Sequence, residues 1–207
     1  MVLNDKLRTG EILPLMESFH SLQGEGYHSG LPAYFIRLGG CDIGCHWCDV
    51  KQSWDFKKYS LISVENIVEK VVTNIDNIII TGGEPLMWNM DLLTNTLKAK
   101  NKKTHLETSG AYKISGDWDW FCLSPKKNKL PTEESFTRAD ELKVIIYNKH
   151  DLEFAENCAK NVNKGCSLFL QPEWGKKDVA MSLIVNYIVK NPKWKISLQI
   201  HKYLNIP

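Results

Sequence analysis

"GGCDIGCHWCDV", residues 39–50, places Cys41, Cys45 and Cys48 in the spacing C-x3-C-x2-C. A structural zinc site is normally closed by a fourth Cys or His. His46 is the nearby candidate, but it lies between two of the cysteines, where simultaneous ligation would be strained. A [4Fe–4S] cluster held by three thiolates leaves one iron open to a ligand that the protein does not supply. The spacing therefore favours an iron–sulfur cluster over a closed zinc site.

Outside the cysteine loop, the sequence alternates between strand and helix periodicities. Repeated strand–helix units predict a parallel sheet with right-handed crossovers. A complete eightfold barrel needs roughly 250 residues, whereas this chain has 207. We therefore predict an α/β fold, with one domain over 1–207 and about six parallel strands in an incomplete TIM-like barrel. The predicted strands are 33–40, 77–85, 103–110, 120–125, 141–148, 166–174 and 195–203, and the helices are 63–74, 91–100, 150–161 and 178–191.

Unusual polar motifs follow several of the predicted strands. They are "TGGEP" (81–85), "ETSG" (107–110), "SPK" (124–126) and "QPEW" (171–174), in addition to the cysteine loop. In parallel α/β folds, functional sites are built at the carboxyl ends of the strands. The sequence therefore predicts one site formed by these five motifs.

Composition narrows the class of protein. The formal net charge is +2, from 26 basic and 24 acidic residues, which argues against a nucleic-acid partner. No stretch has the length of a membrane span, and the N-terminus lacks a secretory signal pattern, so we expect a cytoplasmic protein. In a reducing compartment, clustered cysteines bind metal or do redox chemistry rather than form disulfides. We expect the isolated Cys122, Cys158 and Cys166 to pack in the interior.

The cysteine loop and "TGGEP" together resemble the radical S-adenosylmethionine (SAM) superfamily. In that superfamily, SAM chelates the open iron, and reduction of the cluster by an electron donor cleaves SAM to a radical that abstracts hydrogen from a substrate. The resemblance implies a compact radical SAM fold and a reducing, flavodoxin-like donor. Gly82 and Gly83 would let the backbone approach the methionine moiety, and Glu84 would offer a carboxylate to its ammonium group.

Two terminal motifs, "SLQGEG" (21–26) and "HKYLNIP" (201–207), resemble the 7-carboxy-7-deazaguanine synthase family. The resemblance implies conversion of 6-carboxy-5,6,7,8-tetrahydropterin to 7-carboxy-7-deazaguanine and ammonia, in queuosine or 7-deazapurine biosynthesis. It also implies a substrate-binding segment at 17–30 and a substrate-capping tail at 195–207. A trimmed barrel exposes apolar edges, so we further expect a homodimer.

The resemblance assigns roles to individual residues. Arg37 would pair with the pterin carboxylate, which suits a bidentate guanidinium. Thr81 would add a hydroxyl contact, and Pro207 would reach the pocket with a free carboxylate. Arg37 could instead bind a carboxylate of the protein, and Glu107 a neighbouring lysine. The remaining substrate contacts would be Leu22, Gln23 and Gly24, and SAM would contact Gly83, Glu84, Glu107, Ser124, Pro125, Lys126, Gln171, Pro172, Glu173 and Trp174.

Val50 departs from the family pattern. Family members often have Ser or Thr after the Cys-Asp pair, and its hydroxyl binds Mg²⁺. A valine side chain cannot bind a hard cation. Either Asp49, substrate oxygens and water hold Mg²⁺, or the metal site is weakened or absent.

Three other functions remain open at this level. A glycyl-radical-enzyme activase would share the small size and the cysteine spacing, but "SLQGEG" and "HKYLNIP" argue against it. A non-enzymatic iron–sulfur electron carrier or zinc-binding module would neither bind nor cleave SAM. A catalytically inactive relative could keep the motifs, although the three cysteines and Glu84 argue against that.

Overall fold

The computed structural model describes residues 2–71 and 74–207. Within these ranges a single sheet contains nine strands. The strands are β1 (Ile12–Leu22), β2 (Pro32–Leu38), β3 (Leu61–Ser63), β4 (Asn77–Gly82), β5 (Lys103–Thr108), β6 (Trp120–Leu123), β7 (Glu141–Ile146), β8 (Ser167–Pro172) and β9 (Trp194–Ile196). The helices are α1 (Val2–Thr9), α2 (Val64–Glu69), α3 (Asp91–Ala99), α4 (Glu133–Arg138), α5 (His150–Ala159), α6 (Lys177–Lys190) and α7 (Ile200–Leu204).

The sheet runs in the order β3-β1-β2-β4-β5-β6-β7-β8-β9 and does not close. From β2 to β9 every neighbouring pair is parallel, so seven strands form the parallel part. The strands β1 and β3 extend it with antiparallel pairs. The predicted incomplete TIM-like barrel is thus confirmed, with one parallel strand more than the six expected.

Apolar residues explain the central strands and their helices. Ile78, Ile79 and Ile80 are fully buried, as expected for a parallel strand covered on both faces. The hydroxyl of Ser63 accepts a hydrogen bond from the backbone N–H of Asn66 and so caps α2. The buried face of that helix packs on the same core as Ile78 and Ile80. Every predicted strand from 33–40 to 166–174 coincides with an observed strand.

The prediction of a strand over 195–203 was wrong beyond its first residues. The strand β9 ends at Ile196, and a short helix, α7, begins at Ile200. The change occurs because the backbone N–H of Ser197 still bonds to β8, at Leu170, while that of Ile200 bonds to the Gly24 carbonyl. The chain is thereby drawn away from the sheet and over its carboxyl edge.

Three further differences concern the ends of elements and the cysteines. The predicted helix 63–74 ends earlier, at Glu69, and its positions 72 and 73 lie outside the described residues. Sequence analysis assigned no element to 12–22, which forms β1. Cys122 and Cys158 are buried as expected, whereas Cys166 is partly exposed.

In the described ranges, no helix combines the length and apolarity needed to cross a membrane.

Candidate active site

A cavity of about 300 Å³ opens at the carboxyl ends of the parallel strands. It brings together all five motifs and both terminal segments that the sequence singled out. Pro125 alone of the predicted residues lies elsewhere, in the wall of a smaller neighbouring cavity. The predicted residues that line the main cavity are Leu22, Gln23, Gly24, Arg37, Cys41, Cys45, Cys48, Asp49, Thr81, Gly83, Glu84, Glu107, Ser124, Lys126, Gln171, Pro172, Glu173, Trp174 and Pro207.

The three cysteines of the loop line one side of this cavity and are partly buried. Burial raises the pKa of the Cys41 thiol to about 11 and also raises that of Cys45. A raised pKa disfavours the thiolate form that binds metal, and bound iron would offset this by stabilising the thiolates. Among the described residues, no three His, Cys, Asp or Glu side chains surround one point as the ligands of a single metal ion would. In a [4Fe–4S] cluster each cysteine binds its own iron, so the donor set fits a cluster better than zinc.

His46 does not close the site as a fourth ligand. It lies outside the lining of the main cavity, and its ring packs edge-on against Tyr147 at 5.5 Å. The loop is held from the other side by Asn128, whose side-chain amide donates to the carbonyls of Ile43 and Gly44. The three cysteines therefore line the cavity without His46 beside them in its lining.

The glycine turn of "TGGEP" packs directly on the cysteine loop. The backbone N–H of Glu84 donates to the Gly40 carbonyl at 2.7 Å, and that of Gly83 donates to Leu38 at 2.9 Å. A Cβ on Gly83 would lie 2.2 Å from the Gly40 carbonyl oxygen and 2.9 Å from Cys41 Cβ. Only glycine permits this approach, and it fixes the turn beside the cluster-binding loop.

Glu84 is 1% exposed, and its carboxylate is fully occupied by the protein. One oxygen accepts from the Leu86 N–H and the Thr108 hydroxyl, and the other from the N–H and hydroxyl of Ser109. A buried carboxylate requires such donors. No acceptor position is left for the SAM ammonium group assigned to it from the sequence, so Glu84 joins "TGGEP" to "ETSG" instead.

Arg37 lines the cavity, and it makes the contact with a protein carboxylate that sequence analysis gave as an alternative. Its Nε donates to Oε1 of Glu17 at 2.6 Å, so the guanidinium does bind a carboxylate of the protein. Among the described residues, nothing accepts from its two Nη atoms, which remain available for a bidentate contact with an anion. Phe19 lies 6.0 Å from the guanidinium and stacks on Phe35 at 5.3 Å.

The C-terminal segment closes the cavity over the segment 17–30. The backbone N–H of Ile200 donates to the Gly24 carbonyl at 2.9 Å, and the Ser21 hydroxyl donates to the Pro207 carbonyl at 2.7 Å. A Cβ on Gly24 would lie 2.0 Å from Nδ1 of His201. The glycine therefore lets the imidazole pack on the backbone of the N-terminal segment.

A network inside the cavity was missed by sequence analysis. Lys143 donates from Nζ to Oε2 of Glu25 and to Oε2 of Glu107, both at 2.7 Å. The alternative that Glu107 binds a lysine is thus confirmed. The signal was a lysine within the apolar strand "ELKVII", where a charge is expected only if it is paired. Gln199, also missed, donates to the second oxygen of Glu25.

The residues at the expected magnesium position do not fit a hard cation. Val50 offers no side-chain oxygen, and Oδ2 of Asp49 accepts from Nζ of Lys202 at 2.7 Å. Mg²⁺ is bound through oxygen ligands such as carboxylates and water. One of the two protein positions considered for it carries no ligand, and the other is paired with an ammonium group.

Comparisons with known proteins agree with this site. Residues 35–114 match the family model of the radical SAM superfamily. The chain is 60% identical to a 7-carboxy-7-deazaguanine synthase of Flavobacterium psychrophilum, over 96% of this chain and 94% of that protein. It is 45% identical to one from Synechocystis, over 93% of both chains.

A solved structure shows the same fold. The crystal structure of QueE from Escherichia coli superimposes with a TM-score of 0.81 at 28% sequence identity, covering 94% of this chain and 97% of that one. The sequence and structural matches extend over nearly the whole chain. The chain therefore belongs to the 7-carboxy-7-deazaguanine synthase family of radical SAM enzymes.

Proposed function

We propose that the protein converts 6-carboxy-5,6,7,8-tetrahydropterin to 7-carboxy-7-deazaguanine and ammonia, as a step of queuosine or 7-deazapurine biosynthesis. The observation that carries the proposal is the lining of one cavity. The cysteine loop, residues of the SAM motifs and residues of the segments 17–30 and 195–207 all line it. A cofactor and a small substrate can therefore meet without a further domain.

The residues that would bind the cluster and SAM already line the cavity. Cys41, Cys45 and Cys48 would bind a [4Fe–4S] cluster, and the backbone at Gly83 would approach the methionine moiety of SAM. When bound, the reduced cluster and SAM supply the hydrogen-atom abstraction that starts the rearrangement. The other SAM contacts would come from Ser124, Lys126 and Gln171–Trp174, which line the same cavity, whereas both carboxylate oxygens of Glu107 accept from Gln23 and Lys143.

The substrate side recognises an anionic pterin. Arg37, with both Nη atoms directed to no protein acceptor, would bind the substrate carboxylate in a bidentate manner. Thr81 is the register partner of Arg37 across β2 and β4 and lines the same cavity, which supports a hydroxyl contact from it to the substrate. Leu22–Gly24 would bind the ring through backbone groups, and Pro207 would complete the cap.

Further features of the proposal concern partners. A reducing flavodoxin-like protein would supply electrons in the cytoplasm. The exposed face of α6 carries Val179, Val185 and Val189, which are 74%, 46% and 78% exposed. These residues support a homodimer, which analytical ultracentrifugation can test. We derive no step through Mg²⁺, because Val50 and the Asp49–Lys202 pair do not fit it.

The test is an anaerobic assay with reconstituted protein, dithionite, SAM and 6-carboxytetrahydropterin, followed by mass spectrometry. Formation of 7-carboxy-7-deazaguanine is expected. Cleavage of SAM to 5′-deoxyadenosine without this product would exclude the proposed substrate and keep a radical enzyme. Absence of SAM cleavage by a protein with a full cluster would leave the electron-carrier or inactive-relative functions.

A further inference from the structure

Lys143 lies inside the cavity rather than on the surface. It is 2% exposed, and its Nζ is 2.7 Å from one oxygen of Glu25 and 2.7 Å from one oxygen of Glu107. The two carboxylates belong to different parts of the chain, because Glu25 is in the loop after β1 and Glu107 is in β5. The ammonium group is therefore the point at which the substrate-binding segment meets the barrel wall.

Lys143 and Glu25 stay charged in spite of burial. Burial opposes the charge of Lys143, yet the acidic groups around it hold its pKa well above the usual value. Burial likewise raises the pKa of Glu25, but the ammonium of Lys143 outweighs this and lowers it to about 2. Removing one member of such a buried group leaves an uncompensated charge.

Two glutamines complete the hydrogen bonding of the carboxylates. Nε2 of Gln23 donates to Oε1 of Glu107 at 3.0 Å, and Nε2 of Gln199 donates to Oε1 of Glu25 at 2.8 Å. The Glu25 N–H donates in turn to Oε1 of Gln23 at 3.2 Å. Every carboxylate oxygen thus has a protein donor. The network joins the loop after β1, β5, β7 and the turn before α7.

We propose that Lys143 is a positioning residue for the substrate site. Its ammonium holds Glu25 and Glu107 in place through two hydrogen bonds, and so holds the segments 17–30 and 195–207 in their substrate-binding arrangement. The inference rests on the proposed function, because it assigns these segments to the pterin. The SAM contacts proposed above, at Gly83, Ser124, Lys126 and Gln171–Trp174, include neither of the carboxylates that bond to Lys143, so SAM binding depends much less on it.

The test compares Lys143→Met with Lys143→Arg in the anaerobic assay, with cluster content and circular dichroism checked first. We expect Lys143→Met to raise KM for the pterin by about tenfold or more, because a buried charge network is broken. SAM cleavage in the absence of pterin should stay within about twofold of the wild type. Lys143→Arg, which keeps the charge, should recover most of the loss.

The pH profile separates positioning from simple packing. Without the ammonium, the buried Glu25 carboxyl takes up a proton at a higher pH; Glu107, Glu141, Cys122 and His201 are the other titratable groups that face this cluster. Lys143→Met should therefore bind pterin progressively worse as pH falls from 8 to 6, a range in which the wild type changes little. If Lys143→Met does not fold, the double variant Lys143→Met/Glu25→Gln removes one charge of each sign. Its KM for the pterin and its pH profile are then compared with those of the wild type.

The outcomes distinguish the two proposals. No 7-carboxy-7-deazaguanine from the wild type would overturn the proposed function. Product from the wild type, together with an unchanged KM and pH profile in a folded Lys143 variant, would overturn only the role of Lys143. An equal loss of pterin-independent SAM cleavage and of product would place Lys143 in the scaffold and would also overturn it.

Discussion

Nζ of Lys202 lies 2.7 Å from Oδ2 of Asp49, the residue that directly follows the last cysteine of the loop. The same ammonium group donates to Gln199 at 3.2 Å and lies 4.9 Å from the centre of the Trp174 ring. A residue of the C-terminal helix therefore supplies a cation next to the cluster-binding loop. The neighbouring Val50 provides no ligand for a second cation.

We predict that product formation does not require Mg²⁺. The wild-type rate with EDTA should equal that with added Mg²⁺ within about twofold, because the protein provides no complete set of oxygen ligands. Val50→Thr, which adds a hydroxyl, is the matched variant and should acquire a dependence on Mg²⁺. Mn²⁺ binding followed by electron paramagnetic resonance provides a readout independent of activity. Strong stimulation of the wild type by Mg²⁺ would contradict the prediction.

Alanine in place of Cys41, Cys45 or Cys48 should abolish the intact cluster. Three thiolates are the minimum that the protein contributes to the cluster, so two cannot hold it in place. Iron and sulfide analysis with visible absorption after reconstitution provides the measurement. Cys166→Ala, which changes a partly exposed cysteine outside the cavity lining, is the control and should keep wild-type iron content. Four irons in any of the three variants would refute the assignment.

Arg37→Ala should weaken pterin binding far more than SAM cleavage. We expect a rise in KM of at least about tenfold, because a charge-assisted bidentate contact is lost. Arg37→Lys should recover little, since an ammonium group cannot reproduce the planar pair of donors. Glu17→Gln keeps the guanidinium and should have a much smaller effect. Equal loss of pterin binding and SAM cleavage would mean that Arg37 supports the scaffold.

Gly83→Ala should push the "TGGEP" turn away from the cysteine loop. Its Cβ would lie 2.2 Å from the Gly40 carbonyl oxygen, so the backbone must shift. Overpacking of this kind lowers the free energy of unfolding by about 1–3 kcal/mol, and cluster occupancy should fall with it. Gly165→Ala is the control, since a Cβ there meets nothing within 4 Å. Urea denaturation and iron analysis of both variants test the difference.

His105 should make stability depend on pH. Burial, with a smaller effect of the nearby His28, lowers the pKa of His105 from 6.5 to about 4. The unfolded chain therefore binds an extra proton between pH 6.5 and 4, and stability falls as pH decreases through this window, by up to about 3 kcal/mol. Urea denaturation at pH 7, 5.5 and 4 should show a shallower decline for His105→Asn. The exposed His150→Asn should decline like the wild type.

The sequence predicted the parallel sheet and its motif-bearing edge because those signals are local. Alternation of apolar runs and helical stripes is read within short windows, as at Ile78–Ile80. The helix α7 was missed because five residues are too few for helical periodicity, and a backbone bond from Ile200 to Gly24 determines its course. Tertiary context of this kind overrides propensity.

The Lys143 network could not be predicted from the sequence, because it also depends on tertiary contacts. Its two carboxylate partners lie 118 and 36 residues away along the chain, so no local pattern connects them. For Glu84, in contrast, a local motif predicted a contact that the fold replaces with others. Its position in "TGGEP" suggested a ligand contact, but its four donors come from the next turn of the same loop and from "ETSG". Motif spacing identified the cavity, whereas the pairing of its charges required the fold.

The bond from the Glu84 N–H to the Gly40 carbonyl has a consequence for maturation of the enzyme. The loop that receives iron and the turn that receives SAM share a backbone contact with no flexible side chain between them. A chain without iron, in which the cysteine loop loosens, would also loosen the "TGGEP" turn, which is proposed to approach the methionine moiety of SAM. Occupancy of the cluster would then also set the fraction of molecules whose "TGGEP" turn is ordered for SAM.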